Sequence, residues 1–310
     1  MRARPPMREF RNWVVDSRRW DAFRPRPGDI VVATYPKSGT TWMQQIVSLL
    51  IFQSPEPRPI ADIAPWLDMR PLQPPPEALM ARLDAQQHRR FLKSHLPFDA
   101  MPIYDEVQYI HVARDGRDTC LSYHNHCLAL GPSILEAMDE IGRSDATIDI
   151  AYPRPPAEPR EFYLRWMNFG VAGDQDGNPF GSWFDFEATY WSARSQANLL
   201  MVHYRDLKAD LAAEMRRIAA FLHIEVPEKV WPHLVKAATF EEMRRVGDQL
   251  HPAVARAFVG GTAKFFNRGE NDRWLGILNS DDVAAFETRV RQQFEPDCAA
   301  WLRDGARRSR

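Results

Sequence analysis

The chain has 310 residues, of which 45% are hydrophobic and 26% charged. These values are ordinary for a globular protein with a sizeable core, and they exclude disorder over most of the length. Forty Lys and Arg residues face 41 Asp and Glu residues. The resulting net charge of -1 excludes binding of nucleic acid or anionic lipid through a globally basic field.

The lengths of the apolar segments and the spacing of the cysteines indicate which cellular compartment to expect. The longest apolar runs, such as residues 46–52, are far shorter than the roughly 18 residues that span a bilayer, and the N-terminus lacks the apolar segment of a secretory signal. Cys120, Cys127 and Cys298 show no C-x-x-C spacing and cannot all pair. We expect buried free thiols in a reducing compartment, with a cytoplasmic location as the default.

The predicted elements alternate along the chain. A β-branched apolar run predicts a strand over residues 29–34, and helical spacing predicts a helix over 40–52. Further strands are predicted at 91–93, 108–114 and 198–203, the last two followed by helices at 115–128 and about 208–222. Helices are also predicted over 180–194, 227–237 and 280–294. This order predicts an α/β fold with a central parallel sheet flanked by helices.

Prolines mark the connections between these elements. They cluster at residues 55–59, 71–76 and 153–159, where helices and central strands are excluded. None of these segments has the length or polarity of a flexible linker, and no repeat of 20–50 residues is present. Residues 1–310 are therefore predicted to form a single domain with its core over about 27–295.

The first strand leads into the first helix through a polar turn, residues 34–42. Anions bind at such junctions because unpaired N–H groups and the positive end of the helix dipole converge there. Gly39 allows close backbone approach, Lys37 adds a charge, and hydroxyls follow at residues 38, 40 and 41. The turn is not a Walker A loop, because Lys precedes Gly and the first Gly is absent. A capped helix would explain Gly39 and Thr40, but not Lys37 together with the other hydroxyls.

Residues 35–42, Tyr-Pro-Lys-Ser-Gly-Thr-Thr-Trp, resemble the 5′-phosphosulfate loop of the cytosolic-type sulfotransferases. That family transfers a sulfonate group from 3′-phosphoadenosine-5′-phosphosulfate (PAPS), and the resemblance implies the sulfotransferase fold with its P-loop-like phosphosulfate-binding loop. The implied cofactor-binding residues of this loop are Lys37, Ser38, Gly39, Thr40, Thr41 and Trp42, the last stacking on adenine. The segments at 20–22, 64–68 and 84–90 look most like bacterial, glycolipid sulfotransferase-like members.

Residues 93–97, Lys-Ser-His-Leu-Pro, resemble the family segment whose His is the catalytic base. The chemistry requires such a group, because an acceptor hydroxyl loses a proton as it attacks sulfur and an imidazole titrates near neutrality. Lys93 points to the same side of an extended strand as His95. By this resemblance the catalytic residues are His95, Lys37 and Lys93.

Residues 109–123 resemble the element that binds the 3′-phosphate. The family has an Arg at the strand end and a Ser eight residues later, and Arg114 and Ser122 have that spacing. The Arg fork suits bidentate phosphate contact. Arg117 and Asp118 are predicted to form a surface or helix-start pair of small energetic worth.

Residues 264–274 resemble the C-terminal loop that closes over the cofactor, with substitutions. Asn267 replaces a basic residue, and Asp272-Arg273 replaces Gly-Asp. The charge lost at Asn267 weakens the expected affinity for the 3′-phosphate. The remaining cofactor-binding residues implied by the resemblance are Tyr204, Thr239, Phe240, Met243, Phe266, Asn267, Arg268 and Gly269.

The loops at 129–160 and 169–182 are expected to border the acceptor cleft. Their apolar candidates are Leu130, Ile134, Tyr163, Trp166, Phe169, Phe180 and Trp183. An apolar cleft suits a phenol, a steroid-like alcohol or a lipid-linked sugar, and the sequence does not separate these. His124 and His126 are expected to be helix-surface imidazoles near the active site rather than metal ligands.

The function implied by the resemblance is transfer of a sulfonate from PAPS to a hydroxyl of a small-molecule or glycolipid acceptor, releasing adenosine 3′,5′-bisphosphate (PAP). No metal, nucleic-acid partner or transmembrane segment is expected, and a homodimer is compatible with the sequence. Two alternatives stay open: a nucleotide-dependent kinase or NTPase, and a non-catalytic nucleotide-binding protein on the same fold.

Overall fold

A four-stranded parallel sheet lies at the centre of the fold. The structure, a computed structural model, describes residues 2–168 and 180–306. The strands are β1 (Arg2–Arg4), β2 (Ile30–Ala33), β3 (Phe91–Ser94), β4 (Ile103–Tyr104), β5 (Gln108–Ala113) and β6 (Leu199–His203). The parallel sheet has the order β3-β2-β5-β6, while β1 and β4 form a separate antiparallel pair.

Helices surround the sheet, and two short 3₁₀ segments (Ser17–Ala22 and Phe98–Ala100) accompany them. The α-helices are α1 (Thr40–Phe52), α2 (Ile60–Ile63), α3 (Pro76–Asp84), α4 (Gly116–Leu128), α5 (Pro132–Ser144), α6 (Pro159–Asn168), α7 (Trp183–Ala193), α8 (Tyr204–Ala209), α9 (Leu211–Phe221), α10 (Trp231–Ala237), α11 (Phe240–Arg245), α12 (Gly247–Leu250), α13 (Pro252–Ala257), α14 (Gly261–Phe265), α15 (Ser280–Gln293) and α16 (Pro296–Asp304). None of the described helices is long and apolar enough to cross a membrane.

The sheet is buried on both faces, as its apolar strands predict. Because side chains alternate along a strand, Ile30 and Val32 pack with α1, α9 and α10 in one core cluster. Val31 and Ala33 belong to the cluster on the other face, with residues of α4, α6 and α7. The strand ends that carry the predicted site residues are thus fixed by packing from both sides.

The predicted α/β fold is confirmed, and all four predicted strands form within one or two residues of their expected bounds. The helix expected over about 208–222 is wrong in its start. Helix α8 follows β6 directly and ends at Ala209. Asp210 separates α8 from α9, and its carboxylate caps α9 by accepting a hydrogen bond from the Ala213 N–H. The helices expected from residues 180 and 227 begin later, at Trp183 and Trp231.

A buried ion pair joins the starts of β2 and β3. The Arg90 Nε donates to Asp29 Oδ1 at 2.8 Å, and both side chains are 2% exposed. Arg90 also donates to Asp84 Oδ1 at 2.7 Å. Removing one partner of a buried pair leaves the other charge without compensation.

We therefore predict that Asp29→Asn lowers the free energy of unfolding by about 3 kcal/mol, the lower end for such a change because Asp84 still pairs with Arg90. Glu228→Gln is the matched control, since it breaks the exposed pair of Glu228 with Arg216. Urea unfolding of both variants tests this. Equal midpoints for Asp29→Asn and the wild-type chain would show that the pair does not stabilise the fold.

Candidate active site

Two residues of the turn between β2 and α1, Gly39 and Lys37, have positive φ angles. Gly39 adopts a φ of 122°, and a Cβ there would lie 3.1 Å from Tyr204 and 3.2 Å from Val112. Lys37 also has a positive φ, 71°, a conformation that non-glycine residues hold only when the surroundings impose it. The turn delivers the N-terminus of α1 to a cavity with the N–H groups of its first turn unpaired by the helix.

The hydroxyls of this turn have different surroundings. Thr34 Oγ1 and Thr40 Oγ1 are 2.5 Å apart and share a hydrogen bond, while Thr41 lines the cavity. The Ser38 N–H donates to the Tyr35 carbonyl at 3.2 Å, and Ser38 Oγ is buried with no partner among the described residues. Ser38 does not line the cavity. Thr41 is therefore the hydroxyl best placed for a ligand.

His95 follows β3 and lies at the wall of the same cavity. Its Nδ1 is 2.7 Å from the carbonyl oxygen of Thr34, which can only accept, so Nδ1 carries the proton and donates. The unprotonated nitrogen of the neutral ring is therefore Nε2. Burial, with a contribution from the nearby Lys93, lowers the pKa of His95 well below its usual range. A neutral imidazole with a free lone pair on Nε2 is suited to accept a proton.

Asp68 is a fully buried carboxylate bonded to the backbone of His95, and no sequence motif identified it as part of the site. It accepts hydrogen bonds from the His95 N–H at 3.1 Å, from Trp66 Nε1 at 2.8 Å and from Trp20 Nε1 at 3.2 Å. Burial raises the pKa of Asp68, and these donors oppose the rise. Asp68 therefore fixes the backbone of His95 from a segment that precedes it by 27 residues.

Five cations line the cavity without a carboxylate partner among the described residues. No described carboxylate comes within 4.0 Å of Lys37, Lys93, Arg114, Arg268 or Arg273. Aromatic rings hold three of them: Lys37 Nζ lies 4.7 Å from the Phe265 centroid, Lys93 Nζ 3.9 Å from that of Trp66, and the Arg114 guanidinium 4.4 Å from that of Tyr204.

This arrangement changes the acidity of both lysines. Burial, together with the charge of Arg114, lowers the pKa of Lys37 to about 8. Burial lowers the pKa of Lys93 to about 7, with Asp68 opposing and Lys37 reinforcing the shift. Both lysines have lowered pKa values and no carboxylate within 4.0 Å among the described residues, so an anionic ligand would supply the close counter-charge that they lack.

Arg114 ends its strand beside the turn, as predicted. Its Nη1 donates to the Lys37 carbonyl at 3.4 Å and its Nη2 to the Glu270 carbonyl, while its Nε is buried without a partner among the described residues. Ser122, two turns into α4, lines the same cavity. The predicted spacing therefore brings both residues to one site.

The C-terminal loop over residues 264–274 closes one side of the cavity. Asp118 holds it, because its carboxylate accepts the N–H groups of Asp272 and Arg273, each at 2.8 Å. The predicted pairing of Arg117 with Asp118 on the surface is wrong. Both side chains are buried, and Arg117 Nη2 instead donates to Asp115 Oδ2 at 2.7 Å. No local signal could reveal the role of Asp118, since its partners are more than 150 residues away.

The predicted adenine-contacting residues form an aromatic wall. Trp42 is anchored by its Nε1, which donates to the Ala238 carbonyl at 2.7 Å, and its ring meets Tyr204 edge-on at 5.2 Å. Phe240 packs so closely on Gly269 that a Cβ there would lie 2.6 Å from the ring. Thr239 does not line the cavity; its hydroxyl accepts the Glu242 N–H and caps α11.

Most of these groups border one cavity of about 550 Å³. Every predicted catalytic or cofactor-binding residue lines it except Ser38 and Thr239: Lys37, Gly39, Thr40, Thr41, Trp42, Lys93, His95, Arg114, Ser122, Tyr204, Phe240, Met243, Phe266, Asn267, Arg268 and Gly269. Arg273, His126 and His251 line it as well.

The apolar part of the cavity only partly matches the expected acceptor cleft. Leu130, Ile134 and Phe180 line it. Tyr163, Trp166 and Trp183 do not; these large side chains lie in the core, each at most 2% exposed, and Phe169 lies outside the described residues. His124 is not a surface imidazole, because it is buried and its Nε2 lies 2.8 Å from the Pro156 carbonyl.

No cluster of three or more metal-ligating side chains is present in the two described segments of the chain. The chemistry of the cavity wall is instead that of a large anion site beside an apolar chamber. Cations, a helix N-terminus and an aromatic wall fit a nucleotide with phosphate groups. His95 lies where the two parts meet, so a hydroxyl in the chamber could be deprotonated as it attacks a group held by the cations.

Comparison with known proteins agrees with this arrangement. The family model of the sulfotransferase domain matches residues 27–304. The chain is 32% identical to a glycolipid sulfotransferase of Mycobacterium bovis, covering 96% of this chain and 94% of the relative. It is 31% identical to the glycolipid sulfotransferase Rv1373 of Mycobacterium tuberculosis over the same shares, and 27% identical to human sulfotransferase 1E1 over 82% of this chain and 85% of that one.

Solved structures share the fold. A retinol dehydratase in complex with androsterone and the inactive cofactor PAP superimposes with a TM-score of 0.69 at 21% identity, covering 91% of this chain and 87% of that one. Mouse sulfotransferase SULT7A1 with PAP gives a TM-score of 0.66 at 20% identity, covering 91% and 90%. The chain therefore belongs to the sulfotransferase domain family and is a PAPS-dependent sulfotransferase.

Proposed function

We propose that this enzyme transfers the sulfonate of PAPS to a hydroxyl of a lipid-linked sugar or a similar amphiphile, with His95 as the general base. One contact carries the proposal: the hydrogen bond from His95 Nδ1 to the Thr34 carbonyl, which leaves Nε2 as the basic nitrogen at the cavity wall. The names of the mycobacterial relatives support a glycolipid acceptor, and the apolar chamber suits the lipid part of such a molecule.

The cations of the cavity interact with different groups of the sulfonate donor. Lys37 and Lys93 stabilise the charge that develops on the transferred group and on the leaving phosphate oxygen, since both lysines line the same cavity as His95 and their charges act on it. The α1 N-terminus and Thr41 orient the 5′-phosphate. Arg114, Ser122 and Arg268 bind the 3′-phosphate, and Arg273 supplies the charge that Asn267 lacks. Trp42, Tyr204 and Phe240 enclose the base.

The reaction needs one proton transfer and one substitution at sulfur. His95 Nε2 takes the proton of the acceptor hydroxyl, whose oxygen forms a bond to sulfur as the bond between sulfur and the phosphate oxygen breaks. PAP leaves with the electron pair of that bond. Asp68 keeps His95 in place through its backbone, so it is a positioning residue rather than a catalytic one. Three buried free cysteines support a reducing compartment such as the cytoplasm.

His95→Ala is expected to lower kcat by about 10²–10⁴-fold, the usual loss for a general base. The Kd for PAP should stay nearly unchanged, because the anion site is built from other residues. Transfer of labelled sulfonate to a phenol and to a glycolipid, with calorimetric titration of PAP, measures both. Undiminished turnover across the pH range would remove His95 from the mechanism.

Arg114→Ala should weaken binding of PAP by about 10–150-fold, corresponding to one or two charge-assisted contacts, and should scarcely affect adenosine 5′-phosphate. The second nucleotide is the control, since it lacks the group that Arg114 is proposed to bind. Equal losses of affinity for both nucleotides would mean that Arg114 supports the shape of the cavity without binding the 3′-phosphate.

Binding of PAP at pH 8 should take up about one proton. At that pH Lys37, with a pKa of about 8, is half protonated and Lys93, with a pKa of about 7, is mostly neutral. The bound anion raises both pKa values, so protons enter; below about pH 6 both lysines are already charged and the uptake disappears. Calorimetry in buffers of different ionisation enthalpy measures the number.

Substitution of each lysine in turn distinguishes how much Lys37 and Lys93 contribute to the proton uptake. Lys93→Met should remove more of the uptake at pH 8 than Lys37→Met, because Lys93 is the more deprotonated of the two. Lys229→Met, an exposed residue that does not line the cavity, is the control and should leave it unchanged. PAP binding without proton uptake at pH 8 would contradict the depressed pKa values.

A further inference from the structure

Two imidazoles that the mechanism does not use lie in the apolar part of the cavity. His126 is on α4, one turn beyond Ser122, and His251 lies between α12 and α13. Their rings lie 6.1 Å and 5.5 Å from the centroid of Phe265, the ring that Lys37 Nζ covers at 4.7 Å. Both imidazoles are thus grouped around the ring next to the reacting end of the cavity.

One nitrogen of each ring lacks a hydrogen-bond partner among the described residues. His126 Nδ1 and His251 Nε2 are buried without a hydrogen bond to any described residue. Other buried imidazoles of the chain are paired: His124 Nε2 lies 2.8 Å from the Pro156 carbonyl, and His203 Nε2 lies 3.1 Å from that of Leu302. Histidines with a purely structural role are therefore satisfied in this fold, and the two at the cavity are exceptions.

The groups around these rings are mostly apolar or cationic, and the exception is Tyr123, whose ring stacks beside His126 with the centroids 6.3 Å apart. The apolar neighbours on the cavity wall are Leu130, Ile134, Met138, Val254, Phe258 and Phe265. Burial, with the charges of Lys37 and Lys93, lowers the pKa of His126 well below its usual range and that of His251 to about 3. Both rings are therefore neutral, and each offers one N–H donor and one lone pair.

We propose that His126 and His251 determine acceptor specificity by hydrogen-bonding a second polar group of the acceptor, beside the hydroxyl that receives the sulfonate. The site then takes an apolar molecule with a polyhydroxylated head and discriminates against a monohydric alcohol of the same chain. The physical reason is that an acceptor without the second group leaves buried polar atoms unpaired. This inference rests on the proposed function and names the feature of the acceptor that the cavity recognises.

The test compares two probes on the PAP-loaded enzyme, octyl glucoside and 1-octanol, by equilibrium binding. His126→Phe and His251→Phe should each reduce the ratio of the two affinities by about tenfold, the loss of one or two hydrogen bonds. Binding of 1-octanol should be unchanged or tighter, and the Kd for PAP unchanged. His126→Asn and His251→Gln, which keep a polar atom near the unpaired nitrogen, should restore part of the ratio.

His124→Gln is the matched control, because this imidazole lies two residues from His126 on the same helix, is paired and does not line the cavity. It should leave the ratio unchanged. An unchanged ratio in both Phe variants overturns the inference, and so does an equal loss for both probes, which would mark the imidazoles as structural. If a Phe variant does not fold, the ratio of its Asn or Gln counterpart decides: a value between one and the wild-type ratio supports the inference. A value equal to the wild-type ratio overturns it, and so does a wild-type enzyme with no preference for octyl glucoside over 1-octanol.

The proposed function fails in a different measurement. If the affinity ratio shifts as expected but no labelled sulfonate reaches octyl glucoside or any hydroxyl of a lipid extract, the assignment of a lipid-linked acceptor is wrong. The hydrogen bonds of the two imidazoles to a polyhydroxylated ligand would still stand, because binding to the PAP complex does not depend on turnover.

Discussion

The register between β2 and β3 is the constraint on which the rest of the site depends. Ala33 pairs with Ser94, so the next residues, Thr34 and His95, lie side by side where the strands end. Thr34 donates its N–H to the Ser94 carbonyl at 3.3 Å, accepts His95 Nδ1 on its own carbonyl at 2.7 Å, and shares a 2.5 Å hydrogen bond with the Thr40 hydroxyl. One residue therefore sets both the tautomer of His95, the proposed base, and the start of α1, the helix proposed to bind the 5′-phosphate. A slip of one residue in this pairing would turn these side chains to the opposite face.

The cations of the cavity are held by contacts that leave their positive charge available to an anionic ligand. Aromatic faces stabilise a cation without neutralising it, and a carboxylate at the same distance would cancel much of its field. Elsewhere in the chain Arg residues pair freely with carboxylates, as Arg90 does with Asp29. The difference between these two environments is the physical basis of anion binding in a protein whose net charge is only -1. A ligand with several negative charges would therefore relieve the repulsion among these cations.

The sequence predicted those parts of the fold and site that are encoded locally. The β-branched run before Lys37, the helix after Gly39 and the Lys-Ser-His segment each lie within a few residues, so period and motif were enough to find them. What it could not predict depends on contacts between distant segments. Asp68 bonds the His95 N–H across 27 residues and Asp118 bonds Asp272 across 154, and a carboxylate in either place looks like an ordinary surface residue from its neighbours alone. The aromatic residues expected at the acceptor cleft were misplaced for a related reason: composition shows that a segment is apolar, but not whether it faces a cavity or the core.

Donor binding and base strength are coupled by this geometry. The positive charges of Lys93 and Lys37 lower the pKa of His95, which keeps the ring unprotonated at neutral pH but also makes it a weak base. Anionic groups placed between these lysines offset that field, so the same imidazole binds a proton more strongly once the donor is bound. The Thr34 carbonyl acts in the same direction, because it stabilises the protonated ring through Nδ1. In the proposed mechanism, donor binding therefore raises the pKa of His95, which ties removal of the acceptor proton to the presence of the group that the acceptor will attack.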